Sequence, residues 1–133
     1  MAIRVILDSN FLMMHTKFRI DILEWLQEVL GQRADAVVLS PIYGELKRIS
    51  KARNPKEAMQ ARDALRTANQ LEIIEVENRP NETVDELILR QASEWNCIVA
   101  TNDSELRKRL KKKNIQVIYL RQRRKLEANR TIL

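Results

Sequence analysis

Four acidic side chains stand where apolar segments of this sequence end or where helical segments begin. They are Asp8, Glu45, Asp85 and Asp103. Carboxylates that share a cleft raise one another's pKa, and a divalent cation relieves their repulsion. Oxygen ligands without paired histidine or cysteine suit Mg²⁺ or Mn²⁺. Such an ion can bind a phosphate, lower the pKa of an attacking water and stabilise the leaving oxygen, so these residues predict phosphodiester hydrolysis.

Each of the four acids also has a purely structural interpretation. Asp8 can be a turn residue at a strand end, and Asp103 can be a simple helix N-cap. An acid in a helical first turn, as at Asp85, is favoured by the helix dipole. Glu45 can pair with Arg48, three residues later. The metal-site interpretation is favoured for the set, because Asp8 and Asp103 both follow apolar strands where a carboxylate should point into a cleft.

Other kinds of site are poorly supported by the composition. His15 is the only histidine and Cys97 the only cysteine, which nearly excludes a zinc site and argues against a Ser-His-Asp hydrolase. The two glycines, Gly31 and Gly44, cannot build a dinucleotide or P-loop motif. Cys97 lies in an apolar strand and is predicted to be a core thiol. A single cysteine also excludes a disulfide framework and favours a reducing, cytoplasmic location.

The charge distribution suggests a polyanionic partner. The 133 residues carry a net charge of +6, yet residues 104–133 hold eleven Lys and Arg against two acids. Nucleic acid is the first candidate, and a solvated basic helix face is the alternative. The basic tail contains no aromatic residues for base stacking, which predicts backbone contact. The predicted RNA-binding residues are Arg107, Lys108, Lys111, Lys112, Arg121, Arg123, Arg124 and Lys125.

Strands and helices alternate along the sequence, which predicts an α/β fold. The pattern predicts strands at 3–8, 36–39, 73–76, 97–100 and 116–120, and helices at 19–30, 40–50, 54–69, 83–95 and 103–113. Because most strands are apolar on both faces, we expect a parallel sheet covered by helices on both sides. Functional sites of such sheets form at the carboxyl ends of the strands, where all four acids are expected. Residues 1–120 are predicted to form one domain, followed by a basic tail at 121–133, and no apolar run approaches the ~18 residues of a membrane span.

Local capping signals place some of these residues more closely. Ser40-Pro41 predicts a helix start with Ser40 as the N-cap. Thr83 and Glu86 have the capping-box spacing. Glu86 is an alternative third metal ligand to its neighbour Asp85, but the capping box uses Glu86 and leaves Asp85 available.

Taken together, the motifs resemble the PIN-domain family of metal-dependent nucleases. The matching segments are Val5-Ile6-Leu7-Asp8-Ser9-Asn10, Leu39-Ser40-Pro41-Ile42-Tyr43-Gly44-Glu45-Leu46, Val84-Asp85-Glu86-Leu87-Ile88 with Ala92, and Ile98-Val99-Ala100-Thr101-Asn102-Asp103 with Leu106. They follow the family's order across nearly the whole chain. The segment from Cys97 to Leu126 looks closest to the branch linked to ribosomal RNA maturation in archaea and eukaryotes.

The resemblance implies a three-layer α/β/α sandwich around a central five-stranded parallel sheet, and Mg²⁺- or Mn²⁺-dependent cleavage of single-stranded RNA. It implies that Asp8, Glu45, Asp85 and Asp103 bind the metal, with Asn10, Thr101 and Asn102 as polar supports of the cleft. The alternatives are a toxin-type nuclease held by an antitoxin and a weakly active scaffold in ribosome assembly. A phospho-accepting receiver domain is disfavoured, because Leu120 and Arg121 stand where its lysine would be.

A homodimer is a further expectation from the sequence. Trp25, Trp95 and the Met13-Met14 pair can form an exposed apolar patch, although core packing explains these residues equally well.

Overall fold

A six-stranded sheet organises the chain. The computed structural model describes residues 2–17, 21–121 and 127–131. In chain order the elements are β1 (Ile3–Leu7), α1 (Ser9–Lys17), α2 (Ile22–Leu30), β2 (Ala34–Leu39), α3 (Ser40–Ile49), α4 (Pro55–Ala68), β3 (Glu72–Ile74), α5 (Val84–Trp95), β4 (Ile98–Ala100), α6 (Ser104–Lys112), β5 (Val117–Arg121) and β6 (Glu127–Thr131).

The first five strands run parallel in the order β3-β2-β1-β4-β5, which confirms the predicted α/β class and parallel sheet. The connections step one way from β1 to β3 and the other way through β4 to β5. Since such crossovers are right-handed, α1–α4 cover one face and α5 and α6 the other. The contacts agree, because α1, α3 and α4 touch one another and α5 touches α6.

The core lies where the central strands are apolar on both faces. Val5, Ile6 and Leu7 of β1 are completely buried, and so are Val99 and Ala100 of β4. A strand that is buried on both faces has no side exposed to solvent, so apolar residues do not alternate with polar ones. This is why these strands are continuous apolar runs in the sequence.

The first helix, α1, is absent from the sequence prediction. It begins directly after Asp8, whose carbonyl accepts the Leu12 N–H at 3.0 Å, so no loop separates it from β1. Its apolar residues are consecutive, and Phe11 and Leu12 are both fully buried, so the sequence lacks the spacing of an amphipathic helix. The helix predicted at 19–30 begins at Ile22, after the N-cap Asp21.

A sixth strand lies within the segment that is predicted as a basic tail at 121–133. Residues 127–131 pair antiparallel with β5, with Glu127 opposite Arg121 and Thr131 opposite Val117. This strand is polar and has no apolar alternation, so its sequence does not predict it. The free backbone edge of β5 is what it pairs with.

The predicted helix caps are confirmed with one exception. Asn54 and Asp103 cap α4 and α6, and Thr83 and Glu86 form the reciprocal capping box of α5. Ser40 is not the N-cap of α3 but its first residue. Its hydroxyl donates to the Val76 carbonyl at 3.3 Å and accepts the Val76 N–H at 3.1 Å, so it joins α3 to the segment after β3.

Of the two explanations open for the aromatic and methionine residues, an exposed patch or core packing, the structure agrees with core packing. Trp25, Trp95, Met13 and Met14 are all partly buried. The Trp25 and Phe11 rings lie 5.6 Å apart, and the Arg4 guanidinium lies 4.9 Å from the Trp95 ring. The homodimer stays a prediction. Within the described residues, no helix combines the length and apolar character that crossing a membrane requires.

The capping box of α5 gives a test of the fold. We expect Thr83→Ala to lower the free energy of unfolding by about 1 kcal/mol, because the Glu86 N–H loses its acceptor and the helix start frays. Urea denaturation followed by circular dichroism measures the change. Ser93→Ala is the matched control, since Ser93 is exposed in the same helix and alanine is the better helix former. Equal stability of Thr83→Ala and Ser93→Ala would contradict the capping role.

Candidate active site

The strand order reverses between β1 and β4, and the predicted site residues lie at that point. β1 and β4 are neighbours in the sheet. The connection from β1 leads to β2 on one side of this pair, and the connection from β4 leads to β5 on the other side. A crevice forms at the carboxyl ends of the two strands, where ligands bind in open α/β sheets. Asp8 follows β1 and Thr101 follows β4, and the Asp8 N–H donates to the Ala100 carbonyl at 3.0 Å.

Asp8 is a nearly buried carboxylate, with 4% of its surface exposed. Its Oδ1 accepts the Ser9 N–H at 2.8 Å, and its Oδ2 accepts the Thr101 hydroxyl at 2.7 Å. Burial nevertheless raises the pKa of Asp8 to about 6, and the charges of Asp85 and Glu45 add to the increase. The desolvation of the carboxylate therefore outweighs its two hydrogen bonds.

The loop after β4 is built around the cleft by its own polar side chains. Thr101 Oγ1 accepts the Asp103 N–H at 3.1 Å, so the hydroxyl proton is directed at Asp8. Asn10 Oδ1 accepts the Asn102 N–H at 3.1 Å. The Asn102 amide spans to β5, where it pairs with both the N–H and the carbonyl of Leu120. These contacts place the three predicted support residues at the cleft.

Glu45 reaches the same place from α3. Its Oε1 accepts a hydrogen bond from the Ser9 hydroxyl. Ser9 therefore binds Asp8 through its backbone and Glu45 through its side chain. Ser9 is not among the predicted site residues. Its position directly after an aspartate at a strand end is the feature of the sequence that could have indicated a role in the cleft.

Asp85 links all four carboxylates electrostatically. Its pKa is raised by partial burial first, and then by the charges of Asp103 and Glu45. Asp85 also raises the pKa of Asp8. The four acids thus come from four different elements and share one electrostatic environment. Glu86 is held in the capping box, where hydrogen bonds from Thr83 lower its pKa.

The donor set fits a divalent cation in chemistry, because it consists of carboxylate oxygens whose repulsion a cation would relieve. The carboxylates do not form a closed ligand shell. Among the described residues, no three acidic, histidine or cysteine side chains are gathered closely enough to hold one metal ion. Asp103 Oδ1 accepts the N–H groups of Glu105 and Leu106 as the cap of α6. The metal ligands therefore stay a prediction.

The basic residues of α6 divide into two faces on either side of the buried Leu106 and Leu110. Arg107, Lys108 and Lys111 line a cavity against β5. Lys112 lies on the other face, in a groove beside α5. The sequence prediction treats these four cations as one group.

Arg109 is a cation of α6 that is not among the individually predicted RNA-binding residues. It lines the groove between α5 and α6, and its charge lowers the pKa of both Asp85 and Glu86. A helical projection of 104–113 could have found it, because it places Arg109 on the face opposite Arg107.

Four of the predicted RNA-binding residues cannot be placed. Arg123, Arg124 and Lys125 lie outside the described residues, and only the backbone of Arg121 is described. Cys97 is buried, as predicted for a core thiol, and burial raises its pKa to about 11. A thiol of this kind is a poor nucleophile at neutral pH.

The raised pKa of Asp8 predicts how stability depends on pH in a metal-chelating buffer. The pKa rises from 3.8 in the unfolded chain to about 6, so the folded protein binds the proton more tightly between these values. The free energy of unfolding therefore falls as pH rises from about 4 to about 6, by at most about 3 kcal/mol. Asp8→Asn should remove most of this fall, and Asp85 should account for the remainder.

Urea denaturation at a series of pH values measures this effect. Asp35→Asn is the control, because Asp35 lies on β2 near the opposite edge of the sheet and the variant keeps Asp8. We expect Asp35→Asn to retain the fall between pH 4 and 6. Parallel pH profiles for the unchanged protein and Asp8→Asn would contradict the burial of a charged Asp8.

Comparison with known proteins gives relatives along nearly the whole chain. Residues 5–123 match the family described as a PIN-like domain. Ribonuclease VapC4 of Methanocaldococcus jannaschii is 34% identical over 127 residues, covering 93% of this chain and 95% of that protein. Ribonuclease VapC9 of Archaeoglobus fulgidus is 28% identical over 117 residues, covering 88% and 82%.

Solved structures share the fold. The PIN domain endonuclease Utp24 superposes with a TM-score of 0.78 at 24% identity, covering 97% of this chain and 92% of that one. A domain of a functionally unknown protein from Methanocaldococcus jannaschii gives a TM-score of 0.64 at 17% identity. The family match over residues 5–123, together with the curated relative that is 34% identical, identifies this chain as a member of the PIN-like domain family.

Proposed function

We propose that this protein is a divalent-metal-dependent ribonuclease that cleaves phosphodiester bonds within single-stranded or precursor RNA. The observation that carries the proposal is the electrostatic coupling of Asp85 to Asp103, Glu45 and Asp8. Four acids from separate parts of the chain lie near the carboxyl edge of the sheet, close enough for the charges of Asp85, Asp103 and Glu45 to interact, although this repulsion costs stability. Such a cost is typical of functional sites. The ribonuclease names of the two curated relatives support the same reaction class.

The chain's own residues prepare this site for Mg²⁺ or Mn²⁺. Asp8, Glu45, Asp85 and Asp103 would hold the cation, which would lower the pKa of an attacking water and neutralise charge on the phosphate. Thr101 and Ser9 hold Asp8 in one orientation. Ser9 also holds Glu45, so it fixes the position of β1 relative to α3 at the cleft.

The basic residues supply the RNA contacts in this proposal. The helix α6 begins directly after Asp103, and its basic residues extend from there along both of its faces. RNA phosphates bound there would displace counterions, which makes binding salt-dependent. Arg109 is well placed for a phosphate close to the cleft, because its charge reaches Asp85.

Two biological settings fit the same reaction. Processing of ribosomal RNA precursors, with ribosome-assembly partners, rests on the sequence resemblance of the segment from Cys97 to Leu126. A toxin-type ribonuclease with an antitoxin partner is the second candidate, and the 34% identity to ribonuclease VapC4 favours it. Crosslinking in cells followed by sequencing of the bound RNA separates them. A ribosomal precursor would support the first setting, and a transfer RNA or broad messenger pool would support the second.

Substitution of two site carboxylates tests the reaction. We expect Asp8→Asn and Asp103→Asn to reduce Mn²⁺-dependent cleavage of single-stranded RNA at least a hundredfold, because each removes a carboxylate charge from the cleft. Asparagine keeps the cap of α6 at position 103, so the fold should be preserved. Electrophoresis of labelled RNA measures cleavage, and the rise in melting temperature on adding Mn²⁺ measures ion binding.

The control for these variants is again Asp35→Asn, which removes an acid at the other edge of the sheet. It should cleave RNA and gain stability from Mn²⁺ like the unchanged protein. Unchanged cleavage by both Asp8→Asn and Asp103→Asn would contradict the assignment of the cleft.

The basic tail gives a separate test of RNA binding. We expect replacement of Arg123, Arg124 and Lys125 by glutamine to weaken RNA binding and to reduce its salt dependence, because up to three phosphate contacts are lost. Substitution is preferable to truncation after Leu120, since truncation would remove β6 from the sheet. Filter binding over a range of salt concentrations measures both quantities.

The matched control replaces three cations far from the cleft. Lys51 and Arg53 lie between α3 and α4, and Lys56 lies in the first turn of α4. Because α3 begins at the carboxyl end of β2, the end of α3 is away from that edge of the sheet. Their replacement by glutamine removes the same charge and should leave the salt dependence nearly unchanged. Equal losses of RNA affinity and of salt dependence in both triple variants would show that the tail acts only through the net charge of the protein.

A further inference from the structure

A small cavity lies between α6 and β5, next to the acidic cleft. It is lined by Ser104, Arg107, Lys108, Lys111 and Tyr119. Arg107 and Lys108 each lie three or four residues from both Ser104 and Lys111, so the four residues share one face of α6. Ser104 directly follows the cleft residue Asp103. The cavity therefore begins one residue from the cleft and extends along α6.

Arg107 is the distinctive group in this cavity. Its guanidinium carbon lies 3.8 Å from the centroid of the Tyr119 ring, so the ring covers one side of the guanidinium. Its Nε is buried, and no acceptor among the described residues binds it. A buried donor without a protein partner costs stability, and this partial burial distinguishes Arg107 from the exposed Lys108 and Lys111.

The other cations of the cavity are also unpaired within the structure. Among the described side chains, no acid forms an ion pair with Arg107, Lys108 or Lys111. Three neighbouring positive charges without an acidic partner favour an anion. The Ser104 hydroxyl adds a neutral donor at the end of the cavity nearest Asp103.

We propose that this cavity is a subsite for one nucleotide of single-stranded RNA, next to the bond that is cleaved. Ser104, Lys108 and Lys111 bind its phosphate. Its base stacks on the side of the Arg107 guanidinium that faces away from Tyr119, and Tyr119 keeps that plane in position. The subsite rests on the proposed ribonuclease function. It adds a contact to the base, which the sequence of the tail does not predict.

The size and chemistry of the cavity favour this occupant. Its volume is about 200 Å³. Sites that enclose a whole small molecule are usually about 300–1,000 Å³, so this cavity suits one part of an extended chain. Arginine planes and aromatic rings are the usual stacking partners of unpaired RNA bases, and such stacking tolerates different bases.

The test compares binding to RNA with and without bases. The full chain carrying Asp8→Asn, which prevents cleavage, is titrated into end-labelled oligouridylate or into an abasic ribose-phosphate oligomer of equal length. Fluorescence anisotropy measures both affinities. We expect Arg107→Lys to weaken oligouridylate binding roughly tenfold, because the charge is kept but the stacking plane is lost. Binding of the abasic oligomer should change less than about twofold, since its phosphate contacts are kept.

Arg4→Lys is the matched control, because Arg4 also lies over an aromatic ring, that of Trp95. It stands on β1 at the end of the sheet opposite the cleft, so both affinities should stay unchanged. Tyr119→Leu is a second variant that removes the support of Arg107 without removing charge. It should show the same base-dependent loss, and thermal unfolding establishes that each variant is folded.

Two results would overturn the subsite. Equal loss with both probes in Arg107→Lys would make Arg107 a phosphate contact only, and unchanged binding of oligouridylate would remove it from the interface. Both leave the ribonuclease proposal intact, since the Asp8→Asn parent still binds RNA. Failure of that parent to bind either probe would instead contradict the RNA-binding function itself, and the subsite with it.

Discussion

The site depends on one constraint, which is the burial of the Asp8 carboxylate at the end of an apolar strand. With 4% of its surface exposed, Asp8 can ionise only at a cost, and its pKa of about 6 measures that cost. The Ser9 N–H and the Thr101 hydroxyl offset part of it. Burial of the apolar residues Val5–Leu7 and Val99–Ala100 stabilises the pair of strands and offsets the remainder of this cost. The apolar core therefore provides the stability that allows acids to gather at its edge.

Polar contacts extend from Asp8 through the loop after β4 to the backbone of β5. Thr101 can direct its proton at Asp8 because it accepts the Asp103 N–H, and Asp103 in turn caps α6. Asn102 ties the same loop to the backbone of β5. A displacement of α6 would thus alter the orientation of Thr101 and of Asp8. The same helix carries two basic faces, so the groups proposed to bind RNA and those proposed to bind the ion are held by one network.

The sequence predicts those features whose signals are local. Five parallel strands, most of the helices and the caps at Asn54, Thr83 and Asp103 are predicted because apolar runs and capping residues act within a few positions. Features decided by distant partners are missed. The helix α1 has consecutive apolar residues and forms because the sheet buries Phe11 and Leu12. The polar strand β6 exists because β5 offers a free edge.

The same distinction holds for the candidate site. The residue types of Asp8 and Asp103 and their positions after β1 and β4 predict that both face one cleft, because the topology alone makes these strands neighbours. The hydrogen bond from Ser9 to Glu45 and the position of Arg109 beside Asp85 depend on how α3 and α6 pack. A helical projection shows the face of α6 on which Arg109 lies, but not that Asp85 is its neighbour. Ionisation of Asp8 against burial, and of Asp85 against its acidic neighbours, leaves a repulsion that the folded chain retains at neutral pH. A bound cation would offset this repulsion and so recover the free energy of unfolding that the carboxylates cost. The loss of stability and the affinity of the site for an ion therefore have the same physical origin.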